Sequence, residues 1–558
     1  MAYFLKQTPR NGKVYLAIYE SFYNHEKKNT AHKSFKSLGT IDKLIEQGIE
    51  DPITFYQNEV NELNDRRANE GVKKISDRSP KVYIGHFLLS SVMNKLNIKK
   101  YIDYFKLRKS FRFELYDLLA SLIYCRVIKP CSKLKTYVDV LPYLYGSYDY
   151  SYDQLLDGLY FFGENYKKIV EIFTTEVQKI YGLETSKTYF DCTNFYFEID
   201  REDDFRKKGP SKELRKDPLV GLGLLLDNNL IPIGMEMYPG NESEKPIIRN
   251  VIDNLKKQSN ITGRTIHVAD KGINCASNIA FSKVNGDGYL FSKSVKQLPK
   301  VEQEWILLEN DYQAVTDENG VVKYLYKSCI EKFPYRIDYE GTEKIVEITE
   351  KRLVTYNPSL ATKKKEEIYK MIEKAKSLSL SQSKKKEYGE SSKYVNFTDG
   401  KGGKASVSIN QEAIDKDLRL AGYNLLVTSE TNMSDVDIYS TYHQLWRIEE
   451  SFRIMKSELD ARPVFMKTEN TIIGHFLICY LSVLLIRILE FKELEGKFSS
   501  SAILRFIKTF EVIKLDSNYV NISVISPLSN FLRNTTNLPV DNYHLSSTNL
   551  KKFFDYSL

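Results

Sequence analysis

The segment KTYFDCTNFYFE, residues 187–198, decides the fold because it joins strand-forming residues to an acid that follows them. Its aromatic and β-branched residues favour a β-strand through Thr188-Tyr189-Phe190, which ends at Asp191. The segment TIHVAD, residues 265–270, repeats this pattern and ends at Asp270. Open α/β folds bind ligands at the ends of strands, so both acids are candidate metal ligands. For either aspartate alone, the common alternative is capping of the turn that follows.

The residues around these two strands predict the order βββαβαβ over 185–295. PLVGLGLLLD and LIPIGMEMY are rich in strand formers and are separated by the turn Asn228-Asn229, so they complete a three-stranded meander. GNESEKPIIRNVIDNLKKQ has the pattern of a capped amphipathic helix. After TIHVAD, a helix through SNIAFSKV and a strand GYLFS complete the series. The alternation of elements predicts an α/β core.

The rest of the chain divides by pattern into further regions. Residues 1–75 begin with a hairpin over 2–23 that turns at Pro9-Arg10-Asn11-Gly12, followed by a basic segment with Lys27, Lys28, Lys33 and Lys36. Residues 80–180 show apolar spacings of three and four and read as a separate all-helical domain. Residues 296–420 form an insertion outside the core, 421–495 resume the core, and 496–558 carry no motif.

A long helix is predicted from about Asp435 to Leu459, and its phase selects one of two neighbouring acids. At about 100° per residue, Glu449 lies at the border of the buried face, whereas Glu450 points nearly the other way and is expected to be solvated. An acid at the rim of a buried face needs a partner, which a metal ion would supply. The alternative is an i, i+4 salt bridge between Glu449 and Arg453.

Composition and charge limit the classes of protein to which this chain can belong. The net charge of +8 is a difference between 81 basic and 73 acidic residues, so it permits a polyanionic partner without requiring one. The six cysteines form no CxxC pair, and the start of the chain lacks the apolar core of a signal peptide, which together favour the cytoplasm. The apolar run 472–489 contains His475 and Arg487, which are costly in lipid, so a buried core helix is favoured over a membrane span.

Three carboxylates define the expected chemistry. Hard divalent cations such as Mg²⁺ prefer oxygen ligands, and two such ions can drive an in-line phosphoryl displacement. We therefore expect Asp191, Asp270 and Glu449 to hold two Mg²⁺ ions, for which Mn²⁺ could substitute. The seven histidines show no zinc spacing such as HExxH, which is consistent with a carboxylate site.

The same residues resemble the DDE transposases of bacterial insertion sequences, in the branch with a large insertion before the final Glu. The matching motifs are YFDCTNFYFE, GLLLDNNLIPIGMEMYPGNESE, VADKGINCASN, YHQLWRIEESFRIMKSELDARPVF and IIGH. The branch has a Tyr-Arg-Glu-Lys signature, matched here by Tyr442, Glu449 and Lys456, while Leu445 replaces the Arg. The resemblance implies an RNase H-like core with a mixed sheet, a β-rich insertion, and DNA binding by the helical region 80–180. It also implies DNA contacts by Tyr442 and Lys456, with Arg447 or Arg453 available in place of the missing Arg.

The resemblance implies one function, and three alternatives to it remain open at this point. A transposase would bind the terminal inverted repeats of an insertion sequence, cleave the DNA and transfer the 3′ end to target DNA, acting as a homodimer during synapsis. The alternatives are a nuclease of the same fold without strand transfer, and a catalytically silent DNA-binding descendant. A membrane protein is the weakest alternative. Basic clusters at Lys363 to Lys365 and Lys384 to Lys386 could contact phosphates or could be solvated faces, and Tyr369, Tyr388 and Tyr394 could stack on bases or serve the core.

Overall fold

The structure, a computed structural model, divides the chain into two compact units, residues 1–79 and 80–558. The residues that it describes are 2–24, 29–70, 79–108, 111–210, 216–258, 260–261, 263–339, 342–380, 388–398, 406–515 and 518–556.

The first unit is a three-stranded antiparallel sheet followed by two helices. Its strands are β1 (Tyr3–Arg10), β2 (Lys13–Asn24) and β3 (Asn29–Thr40), and its helices are α1 (Ile41–Glu46) and α2 (Pro52–Glu70). Asn11 and Gly12 both have positive φ, 51° and 68°, which is the backbone of a two-residue hairpin turn. The predicted hairpin is confirmed. The third strand was not predicted, because its sequence shows charge but no apolar alternation; Lys27 and Lys28 lie outside the described residues.

The second unit is built on a nine-stranded mixed sheet with the order β10-β11-β12-β15-β9-β8-β5-β6-β7. A smaller sheet has the order β18-β17-β16-β4, and β13 pairs with β14. The strands of this unit are β4 (Lys81–Tyr83), β5 (Lys187–Tyr196), β6 (Leu219–Leu226), β7 (Pro232–Pro239), β8 (Ile266–Ala269), β9 (Gly288–Lys293), β10 (Gln313–Thr316), β11 (Val322–Tyr339), β12 (Thr342–Tyr356), β13 (Val395–Thr398), β14 (Ser406–Ile409), β15 (Tyr423–Thr428), β16 (Glu511–Leu515), β17 (Asn518–Asn521) and β18 (His544–Ser546).

The second unit also contains seventeen α-helices among its described residues. They are α3 (Phe87–Lys95), α4 (Lys99–Arg108), α5 (Leu115–Ile128), α6 (Lys133–Lys135), α7 (Tyr152–Glu164), α8 (Tyr166–Tyr181), α9 (Ile247–Lys257), α10 (Ala276–Val284), α11 (Lys300–Leu307), α12 (Pro358–Leu380), α13 (Gln411–Arg419), α14 (Asp435–His443), α15 (Trp446–Arg453), α16 (Glu469–Ile488), α17 (Ser500–Thr509), α18 (Pro527–Thr535) and α19 (Ser547–Asp555). Short 3₁₀ or π turns lie at Thr136–Val140, Leu141–Tyr143, Val295–Gln297, Gly389–Tyr394, Ile454–Glu458 and Leu489–Glu493.

The centre of the sheet confirms the predicted order βββαβαβ. Strands β5, β6 and β7 form an antiparallel meander, and β8 and β9 then run parallel to β5 on its other side. Each parallel step is a crossover through a helix, first α9 and then α10, as parallel pairing requires. The chain is therefore a mixed α/β protein.

The two faces of the sheet belong to two cores, as the alternation of side chains along β5 shows. Tyr189 and Phe195 face a large core that also contains the helices of residues 80–180 and helix α16. Phe190 and Cys192 face a second core formed with α9, α10 and α11. The helical region 80–180 thus shares its core with the sheet instead of forming the expected separate domain. Its helix α5 is buried along nearly its whole length, so it must be enclosed by other elements.

The insertion between β9 and β15 is only partly independent of the core. Strands β10, β11 and β12 extend the main sheet, because β12 pairs with β15 and so satisfies the backbone groups of that edge. The remaining part, from α12 to α13, forms a small core of its own around Ile368, Tyr394 and Ile414. The expectation that the whole insertion lies outside the core therefore differs from the structure at these three strands.

Helix α16 is the central helix of the large core. The segment Glu469–Glu493 is long and apolar enough to cross a membrane, and its apolar window is buried completely in the protein. This confirms the prediction of a buried core helix. Its two polar residues have protein partners: His475 contacts Lys133, and Arg487 ion-pairs with Glu490 at 2.6 Å and Glu450 at 3.1 Å.

Arg487 is the cation of a buried polar cluster, so its replacement should lower the free energy of unfolding substantially. Replacement of Arg487 by Met should lower the free energy of unfolding by about 3–5 kcal/mol, because Glu490 and Glu450 would keep buried charge without their cation. Urea unfolding measures this change. The matched control is Arg533→Met, whose exposed ion pair with Asp541 should contribute no more than about 1 kcal/mol. Equal losses in the two variants would contradict the assignment.

Candidate active site

Asp191 and Asp270 lie side by side at one edge of the central strands. The parallel register pairs Phe190 with Ala269, so the two aspartates occupy the next pair of positions, one strand spacing of about 4.8 Å apart. Strand β8 ends before Asp270 as predicted, but β5 continues past Asp191 to Tyr196, because β6 pairs with that extension. Both aspartates are partly exposed, so their carboxylates are accessible.

A tyrosine hydroxyl from the helix region of the Tyr-Arg-Glu-Lys signature contacts one of these two aspartates. The Tyr442 hydroxyl donates a hydrogen bond of 2.9 Å to Asp270 Oδ1. Burial raises the pKa of Tyr442, and the charges of Asp270 and Asp191 raise the pKa further, so both carboxylates lie near one hydroxyl. On the same side, Lys187 Nζ donates to Thr441 Oγ1 at 3.1 Å. These contacts fix the end of α14 over the strands that carry the acids.

Glu449 and Glu450 have different surroundings, and those of Glu450 differ from the sequence prediction. Glu449 is exposed, whereas Glu450 is partly buried and ion-pairs with Arg487 at 3.1 Å. The expectation of a solvated Glu450 is wrong, because helical phase describes one helix and cannot reveal a cation supplied by α16. The predicted long helix is also divided: α14 and α15 are joined by i to i+3 hydrogen bonds at Gln444, Leu445, Arg447 and Ile448.

The alternative of a Glu449–Arg453 salt bridge is not what the structure describes, since the ion pair of Arg453 is with Glu450 at 3.7 Å. Glu449 lies seven residues from both Tyr442 and Lys456, but i to i+3 turns separate it from Tyr442, and Lys456 lies in the π turn Ile454–Glu458. Tyr442 bonds to Asp270, and Lys456 Nζ lies 5.4 Å from the centre of the Phe195 ring. Phe195 shares its face of β5 with Asp191. Tyr442 and Lys456 thus lie beside the strands that carry the aspartates, and Glu449 is exposed on the helix region between these two residues.

The predicted DNA contacts fall into two groups. Tyr442 and Lys456 contact Asp270 and Phe195, as described above. Arg447 and Arg453 lie toward Glu450, with which Arg447 pairs at 3.5 Å, and the Arg447 guanidinium lies 4.0 Å over Trp446. The structure therefore does not bring the two arginines together with the aspartates.

The basic clusters outside this helix give no support to a phosphate contact. Lys363 to Lys365 lie on α12, where Lys364 pairs with Glu367 at 2.6 Å, as on a solvated helix face. Lys384 to Lys386 lie outside the described residues. Tyr388 and Tyr394 are completely buried and serve the small core, whereas Tyr369 is exposed.

A cavity of about 350 Å³ beside the aspartates adds residues that the sequence reasoning did not select. It is lined by Asn194, Tyr238 and Glu244, among others. A Cβ built on Gly272 lies 3.6 Å from Glu244 Oε2, which places this acid close to the loop after Asp270. Burial raises the pKa of Tyr238, and Cys192, Glu244 and Asp191 raise it further. The acidic segment GNESE after β7 was the sequence feature that could have identified Glu244, since β7 ends at the same edge of the sheet.

The donor set at this edge fits a hard divalent cation. Mg²⁺ is commonly bound through one or two carboxylates together with water and phosphate oxygens, which Asp191 and Asp270 can provide. Within the described part of the chain, no group of three or more His, Cys, Asp or Glu side chains is arranged to hold one ion. The pair of aspartates is therefore the observed unit, and Glu449 as a third ligand stays a prediction.

No protein-family model and no curated protein matches this chain. The inference of function accordingly depends on the geometry of the site and on the motifs.

The hydrogen bond between Tyr442 and Asp270 predicts a measurable contribution to stability. Tyr442→Phe should lower the free energy of unfolding by about 1–2 kcal/mol, because it removes a bond to a charged acceptor that is only partly exposed. The control is Tyr439→Phe on the same helix, where the ring stacks on Tyr324 and should keep that contact. Urea unfolding of both variants tests this, and a larger loss in Tyr439→Phe would contradict the geometry.

Proposed function

We propose that the protein is a DNA transposase of the DDE type with an RNase H-like core. The observation that carries the proposal is the position of Asp191 and Asp270 directly after the last residue pair of the parallel strands β5 and β8, with Tyr442 hydrogen-bonded to Asp270. The antiparallel meander followed by two parallel strands supports the mixed sheet that the resemblance implies. The motif spacing supports the same assignment independently of any contact.

In this proposal, Asp191, Asp270 and Glu449 hold two Mg²⁺ ions. Such ions activate the attacking oxygen and stabilise the leaving oxygen of a phosphoryl displacement. The chain's own groups orient the site: Tyr442 fixes one oxygen of Asp270, and the sheet fixes the separation of the two aspartates. The partly exposed edge leaves room for a phosphodiester, which would complete the oxygen ligands.

The proposed partner is double-stranded DNA, as terminal inverted repeats and as target, in the cytoplasm. Tyr442, Lys456 and one of Arg447 and Arg453 are proposed to contact it near the cut end. Synapsis of two ends requires two catalytic centres, which favours a homodimer. A nuclease without strand transfer is the nearest alternative, and a silent DNA-binding protein is the next; both are outcomes of the test below.

Glu449 and Glu450 allow a matched test of the catalytic assignment. With a duplex carrying the inverted repeats that flank the coding region, Glu449→Gln should bind normally but cleave at least ~100-fold more slowly, equivalent to about 2.7 kcal/mol of transition-state stabilisation. Glu450→Gln should cleave within a few-fold of wild type at a temperature where it is folded, which circular dichroism verifies. Wild-type cleavage by Glu449→Gln would refute the ligand assignment.

The products of the same reaction separate the proposed function from its alternatives. Joining of the cleaved 3′ end to a second duplex supports transposition. Cleavage without joining identifies a nuclease, and binding without cleavage in both Mg²⁺ and Mn²⁺ identifies a silent protein.

Contacts to phosphates predict a steep dependence of DNA affinity on salt. About four such contacts should weaken binding ~100-fold between about 50 mM and about 200 mM salt, because bound counterions are released. Fluorescence anisotropy with a labelled duplex measures the slope. Lys456→Gln should reduce it by about one contact, and an affinity independent of salt would exclude the proposed partner.

A further inference from the structure

Three basic side chains are buried together on the helical side of the second unit. Arg126 near the end of α5, Lys133 at the start of α6 and His475 on α16 are only 5%, 3% and 4% exposed. Lys133 Nζ lies 3.1 Å from His475 Nδ1, within hydrogen-bonding distance. Long cationic side chains are seldom buried without a partner, so the cluster requires an explanation.

The hydrogen bonds of this cluster leave positive charge uncompensated. His475 Nε2 lies 3.0 Å from the Ala461 carbonyl oxygen, so the ring donates there and accepts from Lys133 through Nδ1, which makes it neutral. Arg126 donates to the carbonyl oxygens of Cys131 at 2.9 Å and Leu459 at 3.3 Å. Among the described residues, no carboxylate pairs with Arg126 or Lys133, and the Lys133 ammonium keeps donors beyond its bond to His475.

The electrostatics of the cluster agree with this description. Burial, together with the neighbouring charge of Arg126, lowers the pKa of Lys133 to about 7. Burial lowers the pKa of His475 as well, with Lys133 and Arg126 acting in the same direction. Each basic group therefore destabilises the charge of the next, and an anion placed among them would relieve all of these effects.

A cavity opens onto the cluster. It has a volume of about 310 Å³, many times the ~30 Å³ share of one water molecule, so it can admit a polyatomic anion. Its lining includes Arg126, Lys133 and His475 together with Ser132 and Arg462, which add a hydroxyl and a second guanidinium. Asp460 is the single acid among the lining residues; it is exposed, and its carbonyl oxygen accepts from Arg126 at 3.5 Å.

We propose that this cavity binds a phosphate group through Lys133, Arg126 and Arg462. Phosphate presents several acceptor oxygens at once, which suits convergent ammonium, guanidinium and hydroxyl donors better than a single carboxylate would. The bound group is either inorganic phosphate or a phosphodiester of nucleic acid. Binding of the anion does not depend on the proposed transposase activity.

The position of the cavity favours nucleic acid as the source, an assignment that rests on the proposed function. The Arg462 guanidinium lies 4.7 Å over the ring of Tyr196, the last residue of β5. Tyr196 is five residues from Asp191, about 17 Å along the strand. Phosphates of one DNA strand advance about 3.4 Å each along the helix axis. That distance equals the length of about five nucleotides, so one bound duplex is long enough to contact both Asp191 and the cavity.

Inorganic phosphate is the first probe, with the full-length protein. Equilibrium dialysis with labelled phosphate, at an ionic strength held constant with chloride, should give about one site per chain, and phosphate should raise the melting temperature. Lys133→Met should weaken the affinity at least ~10-fold and remove the shift, because it deletes the donor without changing the apolar volume greatly. Lys135→Met, an exposed lysine two residues away, should behave as wild type. If Lys133→Met does not fold, Lys133→Gln replaces it.

Competition with a short DNA duplex then identifies the source. Displacement of labelled phosphate by the duplex, with weaker duplex binding by Lys133→Met than by Lys135→Met, assigns the site to a phosphodiester. Phosphate binding that the duplex does not displace assigns it to the free ion. The proposal is overturned if wild-type protein binds no phosphate, or if Lys133→Met binds it as tightly. Intact phosphate binding together with absent DNA cleavage would refute the proposed function alone.

Discussion

The parallel pairing of β5 with β8 is the constraint on which the candidate site depends. Parallel strands need a crossover, and here β6, β7 and α9 supply it within the chain between the two aspartates. Two acids about 80 residues apart in sequence thereby reach one strand spacing, a separation that backbone hydrogen bonds fix more rigidly than any loop could. Both aspartates lie at the end of this parallel pair, which is the arrangement expected where two carboxylates are to share a cation.

The helix that carries Glu449 is held in place from the other side. Helix α16 presents Arg487, which is only 1% exposed, to Glu450, to Ser451 and to the carbonyl oxygen of Arg447. A single buried guanidinium therefore holds Arg447, Glu450 and Ser451 of α15, while Glu449 is exposed. The neighbouring Glu450 has a structural role in this arrangement, so adjacency in sequence says little about equivalence in function.

The parts of this fold that were predictable are those in which local pattern and tertiary environment agree. The strands around Asp191 and Asp270, their order and the buried helix with His475 and Arg487 follow from apolar periodicity and turn residues. The contacts of Glu450 and the buried state of Lys133 did not follow, because each depends on a residue from a distant element. The pairing of β12 with β15 was not predicted for the same reason, because the sequence of an edge strand does not identify the strand with which it pairs.

Arg487 and Lys133 are both buried basic residues of the second unit, and they differ in one respect. Arg487 is surrounded by Glu490 and Glu450, so its charge is neutralised inside the protein, as buried charges normally are. Lys133 lies at an equal depth with Arg126 and a neutral His475, and its described surroundings include no carboxylate. A methionine of similar volume would fill the same space and would lose less solvation free energy on burial. The stability of the fold therefore does not explain why a lysine occupies this position. A ligand that supplies the missing negative charge does account for it, since the cost of burial is then offset only when the ligand is bound.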